Sequence, residues 1–441
     1  MKRLSGLWMI LAVGALATCS GPSPSSSTSQ ETAETARAIA KTSSLKSTPT
    51  DTVADRPGYD WPQWRGLRQD GISLESGLLS EWPEGGPPEL WRVELGNGYS
   101  SVAVVGNRAY TMFGDDEGEY VVCIDVTNGE PVWQVRSDGP FKNSYGGGPR
   151  ATPTVHEGRV YTVGATGTAL CLDAGSGEKI WGLNLFSEFG GENLEWGLSA
   201  SPLIVDNKVF VVANGSNGKS LAALDKGTGK TVWTSLSDKA GYSTPIIIEL
   251  DNKKQLVVMT GVAVVGVSPD DGGELWRYPW KTDMDANVAT PIFHNGRLFI
   301  SSGYDTGAAL FDLVVNDGKI EPNPLWRSKK MKNLFTSSIL IDGFIYGFHN
   351  SIFTCLDFET GKVQWSQRGF KRGSVLSADG KLIIYGARGT LALAAASPEA
   401  YEEISSVKIF EGNKTWSIPT LSRGRLFVRN DQELICLSLI P

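Results

Sequence analysis

Histidine and cysteine are scarce in this chain, which carries three of the first and five of the second among 441 residues. No Cys-x-x-Cys-His run occurs, which excludes covalently attached haem. His156, His294 and His349 each fall in or beside a turn-rich segment far from the others, so no Ser-His-Asp set and no metal-ligand cluster is evident. Positive charge is short as well: 41 Lys and Arg stand against 48 Asp and Glu, a net charge of -7. Such a chain offers no basic field to a phosphate backbone, which excludes nucleic acid as the partner. Beyond the N-terminus no apolar run is long enough to span a membrane as a helix.

Glycine and tryptophan are plentiful, at 51 and 14, and they point to a turn-rich β protein. The N-terminus reads as an export signal over residues 1–18, with Lys2 and Arg3 ahead of the apolar "LSGLWMILAVGALA". Two processing routes fit. "ALA" (15–17) suits ordinary signal cleavage, whereas "LATC" (16–19) resembles a lipobox that would lipidate Cys19, although Thr18 departs from the usual small residue there. Residues 19–58 are rich in Ser, Thr and Pro, too poor in apolar residues to bury a core, and read as a disordered tether. A tether directly after a cysteine favours a lipid-anchored protein of the outer membrane, with a soluble periplasmic or secreted protein as the alternative. The lipid would be its only membrane contact.

The remainder, 59–441, repeats itself. "DVTNGEPVW" (125–133), "DAGSGEKIW" (173–181), "DKGTGKTVW" (225–233) and "DFETGKVQW" (357–365) each place Gly four residues after Asp and Trp four after Gly. The residues are Asp125, Gly129 and Trp133; Asp173, Gly177 and Trp181; Asp225, Gly229 and Trp233; and Asp357, Gly361 and Trp365. Trp276 ends a shortened copy, and Trp91 and Trp326 hold the same position, so successive tryptophans lie 39 to 52 residues apart. That is the period of one four-stranded propeller blade. Upstream of each turn runs an apolar alternation broken by a tight turn, as in "ATPTVHEGRVYTVG" (151–164), which spells strand, hairpin, strand. Eight such units occur, but the last stops at "CLSLIP" (436–441) without an outer strand, while "PPELWRVEL" (87–95) carries Trp91 with no blade before it. The expectation is an all-β, eight-bladed β-propeller of four-stranded antiparallel blades, closed by that N-terminal strand, which removes open sheet edges. Seven blades is the alternative, since the seventh unit lacks both the turn motif and the Trp.

Within such a blade "CLDAGSGEKIW" is a hairpin and not a dinucleotide loop, because no strand–helix unit surrounds its Gly-x-Gly. Asp173 accepts backbone N–H bonds across the turn, and Gly177 takes a positive φ. Trp181 packs between blades. Cys123, Cys171, Cys355 and Cys436 occupy equivalent third-strand positions in separate blades, too far apart for disulfides, and read as buried thiols.

The "TP…G.VY…G.L.CLD..TGE..W" shape resembles the pyrroloquinoline quinone (PQQ) type propeller repeat family, over nearly the whole mature chain, and "WPQWRGLRQDGIS" (61–73) is similar to a lead-in of exported propellers of this kind. The resemblance implies two branches that fold alone does not separate. One holds the non-catalytic propeller lipoprotein of outer-membrane β-barrel assembly. The other holds quinoprotein dehydrogenases, which need PQQ, calcium on hard oxygen ligands, a carboxylate base and commonly an adjacent Cys-Cys pair. This chain has no adjacent cysteines and lacks long roofing insertions, so the reading leans away from an enzyme, and no cofactor is expected.

Functional candidates therefore lie in the loops that differ between copies. Loops entering each first strand emerge on one face and converge on the channel. They nominate Tyr99, Arg150, Trp196, Tyr242, Asn287, Asn333, Arg372 and Trp416 as a funnel rim, with Asp285 as a further candidate metal ligand or base. The mixture of large aromatics, Arg and small residues suits a ligand or protein site. The favoured reading is a monomeric, exported binding or scaffold module of the cell envelope, engaging a protein or small ligand at the funnel. The alternative is a PQQ- and calcium-dependent alcohol or sugar dehydrogenase.

Overall fold

The computed structural model describes residues 59–441, Asn413 apart. The signal, the tether and Cys19 fall outside the described residues. The chain forms eight four-stranded antiparallel sheets. In chain order the blades occupy 103–138, 154–184, 203–235, 246–279, 292–328, 339–367 and 373–408, and are numbered 1 to 7. Blade 8 joins 420–438 to the strand Glu89–Glu94, which pairs antiparallel with Glu433–Ser438 from Glu94↔Glu433 to Glu89↔Leu437. The propeller thus has eight blades, not seven. Segment 373–408 makes a complete sheet because apolar alternation, not the turn motif, decides strand formation. First strands, such as Ala103–Val105 and Thr154–His156, touch those of neighbouring blades and line the channel, while fourth strands are the exposed outer edge. Among the described residues no helix is long and apolar enough to cross a membrane.

The repeated tryptophans link one blade to the next. Trp91, Trp133, Trp181, Trp233, Trp326 and Trp365 donate their indole N–H to Val126, Ala174, Lys226, Pro269, Phe358 and Ser397 O, each in the following blade, at 2.8–3.2 Å. The turn glycine of the following blade lies flat on five of these rings, Gly129, Gly177, Gly229, Gly272 and Gly361 covering Trp91, Trp133, Trp181, Trp233 and Trp326, whereas Trp365 packs against Tyr401 at 5.9 Å. Gly177 has φ +75°, and a Cβ there would stand 2.7 Å from Trp133 Cδ2 of the preceding blade. The cysteines are explained by the same rings. Cys123, Cys171, Cys355 and Cys436 are the cross-strand partners of Trp133, Trp181, Trp365 and Trp91, where a small side chain leaves room for the indole. All four are buried, and burial pushes the thiols of Cys123 and Cys355 up to about 12. Trp276 departs from the pattern: its partner is Gly266, and its N–H turns inward to Gln255 Oε1 at 2.7 Å. Blade 5, which follows it, replaces the Asp-to-Trp turn with a long hairpin, Gly307–Asn316 and Lys319–Ser328, whose turn glycine, Gly318, has nothing within 4 Å and so does not cover Trp276.

Two further devices close the ring. Arg429, buried at 1% exposure, gives its guanidinium to Ser100, Met112, Gly96, Gly98 and Asn430 carbonyls and to Thr111 Oγ1, stitching blade 8 to blade 1. Residues 59–88 cross the channel on the side opposite the loops that enter the first strands. Trp61 exchanges backbone hydrogen bonds with Val104 at 2.8 Å, Pro62 O accepts from Val155 N–H, and Arg65 Nη2 donates to Ser338 O at 2.7 Å. Ser73 and Leu79 N–H groups bond to Ser377 and Leu439 O. Trp82 joins the buried cluster of Leu393 and Leu437, supplying an indole where blade 7 has Ser405 opposite Leu393.

Candidate functional site

On the loop face the channel opens into a cavity of about 310 Å³. Its wall is built from the loops that enter first strands, with Tyr99, Arg150, Trp196, Tyr242, Arg372 and Trp416 among the lining side chains. Trp64, from the lead-in, lines it too and donates its indole N–H to Thr290 Oγ1 at 2.9 Å, so the funnel ends in a floor. Tyr145, Tyr304 and Phe335 complete an aromatic wall. Tyr99 and Trp416 rings lie 5.0 Å apart, Phe335 stacks on Trp416 at 4.6 Å, and Trp196 packs on Tyr242 at 5.4 Å and on Tyr304 at 6.2 Å.

The two arginines differ in their freedom. Arg150 lies over Phe141 at 4.4 Å and is tied to the carbonyls of Gly146 and Gly148, and burial lowers its pKa to about 10, leaving it charged at neutral pH. Arg372 is exposed, sits 5.0 Å over the Phe335 ring and, among the described residues, has no side-chain hydrogen bond or ion pair. Burial pushes the hydroxyls of Tyr99 and Tyr242 up to about 12, so both stay neutral. Tyr99 donates to Tyr145 O at 2.7 Å, fixing the glycine-rich loop 139–150 over one side of the funnel. Behind that loop Glu119 is fully buried, Oε2 accepting from Ala165 N–H at 2.8 Å and Oε1 unpartnered. Burial raises its pKa to about 8, and Asp138 adds to the rise.

Six of the nine nominated rim residues therefore meet around one cavity. Asn287, Asn333 and Asp285 do not line it. Asn287 is wholly buried, donating to Thr260 and Trp280 O and accepting from Ser302 Oγ at 2.7 Å. Asn333 donates to Phe348 O and accepts from Ser338 Oγ at 2.9 Å. Both amides pin their loops, and the residues that follow, Val288 and Leu334 with Phe335, face the cavity instead. Asp285 pairs with Lys239 Nζ at 3.1 Å beside a short 3-10 turn, away from the lining. Trp64 and Tyr304 escaped the sequence reading because they lie outside the loops it weighed, one in the lead-in and one between second and third strands. Tyr145 and Phe335 lie inside the loops that enter first strands, with nothing in the sequence to rank them above their neighbours.

Among the described residues no carboxylate lines the cavity, and no three His, Cys, Asp or Glu side chains converge as a metal site. This donor set does not fit a calcium ion, which takes six to eight oxygen ligands.

A family model described as outer membrane protein assembly factor BamB matches residues 85–184 and 117–367. The quinoprotein alcohol dehydrogenase PedH of Pseudomonas putida is 27% identical over 227 residues, 48% of this chain and 35% of that protein. Outer membrane protein assembly factor BamB of Moranella endobia is 21% identical over 235 residues, 49% of this chain and 56% of that protein. The chain thus spans about a third to just over half of the length of these relatives. The crystal structure of BamB from Moraxella catarrhalis shares the fold, with a TM-score of 0.55 and 16% identity over 77% of this chain and 94% of that one.

Proposed function

The chain belongs to the family described as outer membrane protein assembly factor BamB, and from that premise we propose that it works in the cell envelope, engaging a protein partner in outer-membrane assembly through its funnel face. As a propeller of this family it is a scaffold or binding module; the location and the partner are the proposal. The observation that carries it is the blind funnel, walled by aromatics, floored by Trp64 and bearing a guanidinium, Arg372, that lies over Phe335 and has no hydrogen-bond or ion-pair partner among the described residues. Large aromatics and arginine concentrate binding energy at interfaces, and a rim of loops on a rigid propeller presents them without ordering cost.

The test replaces Tyr145, exposed at the funnel mouth, with benzoylphenylalanine, and Val232, exposed on an outer strand, in a second sample. On irradiation of envelope preparations, a discrete protein adduct from position 145 and not from 232 is expected. Adducts from 232 alone refute the funnel. Purified protein that retains a quinone after dialysis with PQQ and calcium, and then oxidises alcohols with a dye acceptor, refutes a binding module outright.

A further inference from the structure

Charge is unevenly distributed around the funnel. The loops at 329–338, 368–372 and 387–389, which belong to blades 5 to 7, carry Lys329, Lys330, Lys332, Arg368, Arg372 and Arg388 along with Lys371, and no acid. Asp305 answers Lys329 and Lys332. Lys330, Arg368, Lys371, Arg372 and Arg388 are exposed and, among the described residues, have no acidic partner. On the other side of the funnel, 115–117 is Asp-Asp-Glu, of which Asp116 pairs with Lys142 at 2.7 Å, and 185–202 holds Glu188, Glu192 and Glu195 with no base. The basic loops also touch one another. Arg372 lies over Phe335, Phe335 stacks on Trp416, and Ala387 N–H bonds to Phe370 and Arg372 carbonyls.

We infer that the funnel face receives an acidic segment of a partner protein, whose carboxylates lie along the basic arc of blades 5 to 7 and whose aromatic or large apolar side chain enters the cavity beside Phe335 and Trp416. This rests on the proposed reading of the funnel as a protein-binding face. Three features select that occupant. The cavity holds about 310 Å³, enough for one large side chain, whereas the unpaired cations continue outside it over three loops, so the ligand is longer than the cavity. A cluster of like charges with no counter-ions is completed by an opposite charge on the partner, which also steers encounter. The acidic arc facing it repels a uniformly anionic surface such as a bilayer, while it leaves room for a segment lying across one side.

The experiment is selection of a random dodecapeptide phage library on the purified protein, followed by calorimetry of the winning peptides against wild type, Arg372→Glu with Lys371→Glu, and Trp416→Ala. Melting curves of each variant confirm the fold. Enrichment of peptides rich in Asp and Glu around a Phe, Tyr, Trp or Leu is expected, with affinity falling as salt rises and about a tenfold loss in either variant. If the winners lose affinity in Trp416→Ala but are neutral or basic, the charge inference fails while the funnel reading stands. If neither variant weakens binding, or no peptide is enriched, both fail. Phenylacetate binding as tightly as the peptides would replace the protein segment with a small acid. Binding to phosphatidylglycerol vesicles, abolished in the double variant, would replace it with a membrane. Either result overturns the inference.

Discussion

Replacing Gly177 by Ala tests a glycine-on-tryptophan contact that recurs at five of the blade boundaries. Gly177 sits at φ +75°, where a Cβ costs about 1 kcal/mol. That Cβ would also lie 2.7 Å from Trp133 Cδ2 and 2.8 Å from its Cε3, well inside contact distance. Trp133 is held by its N–H bond to Ala174 O at 3.0 Å and by Tyr110 at 5.9 Å, so it cannot retreat freely, and the overlap adds about 1–3 kcal/mol. The whole substitution should destabilise by about 2–4 kcal/mol. With Trp133→Ala already present the overlap vanishes, and Gly177→Ala should then cost only the backbone part, about 1 kcal/mol. The control is Trp181→Ala, which removes the tryptophan of the same turn. Trp181 reaches forward to Lys226 O and not to Gly177, so no relief is expected. Urea unfolding, followed by fluorescence and far-ultraviolet dichroism, gives the coupling energy of each pair from a double-mutant cycle. Relief by Trp181→Ala, or an equal cost in all three backgrounds, would refute the blade-to-blade pairing.

Other outcomes follow from buried groups. Glu119 has its pKa raised from 4.5 to about 8 in the folded protein, so the neutral acid is the form the fold accepts. Stability is complete below the unfolded value and is lost as pH rises through the folded one, by about 3–5 kcal/mol in all. Glu119→Gln should therefore melt like wild type at about pH 5 and above it at about pH 8; a pH-independent difference would sink this account. Arg429→Lys cannot reach the five carbonyls and one hydroxyl that the guanidinium serves, and should cost about 2–4 kcal/mol. Its loss should appear first as faster amide exchange in blades 8 and 1, and uniform exchange would argue against a closing role. Native protein should expose no more than one of its five thiols to Ellman's reagent, with the four buried ones reacting only in urea; rapid reaction of more than one would contradict the packing under the tryptophans.

The blade count was legible because a period of this kind is visible wherever the same turn returns, and the unpartnered outer strand around Trp91 announced the closure. The pairing of glycine and tryptophan was not legible, for a reason built into repeats. Asp173, Gly177 and Trp181 look like one motif, yet Gly177 covers Trp133 and Trp181 reaches blade 3. Shifting every partner by one blade leaves the sequence pattern unchanged, so the pattern cannot say which copy a residue touches. Departures from the pattern carry that information instead: Trp276 turns to Gln255 where the next blade has no Asp-to-Trp turn.

The funnel obeys the same logic at the scale of single residues. Loop positions named the right segments, but within each loop the residue that looked chemically richest was often the one the fold had used up. Asn287 and Asn333 carry amides that can donate and accept at once, and the loops spend both functions on their own backbone. The neighbouring Val288, Leu334 and Phe335, with no polar group to satisfy, are left to face the cavity. Arg150 and Arg372 divide in the same way, one bound to Gly146 and Gly148 carbonyls and the other with none. A polar side chain is open to a partner only when the loop around it has already met its own hydrogen-bonding needs. On that criterion Arg372, and not Arg150 or either asparagine, is where substitution should change binding without first unsettling the loop.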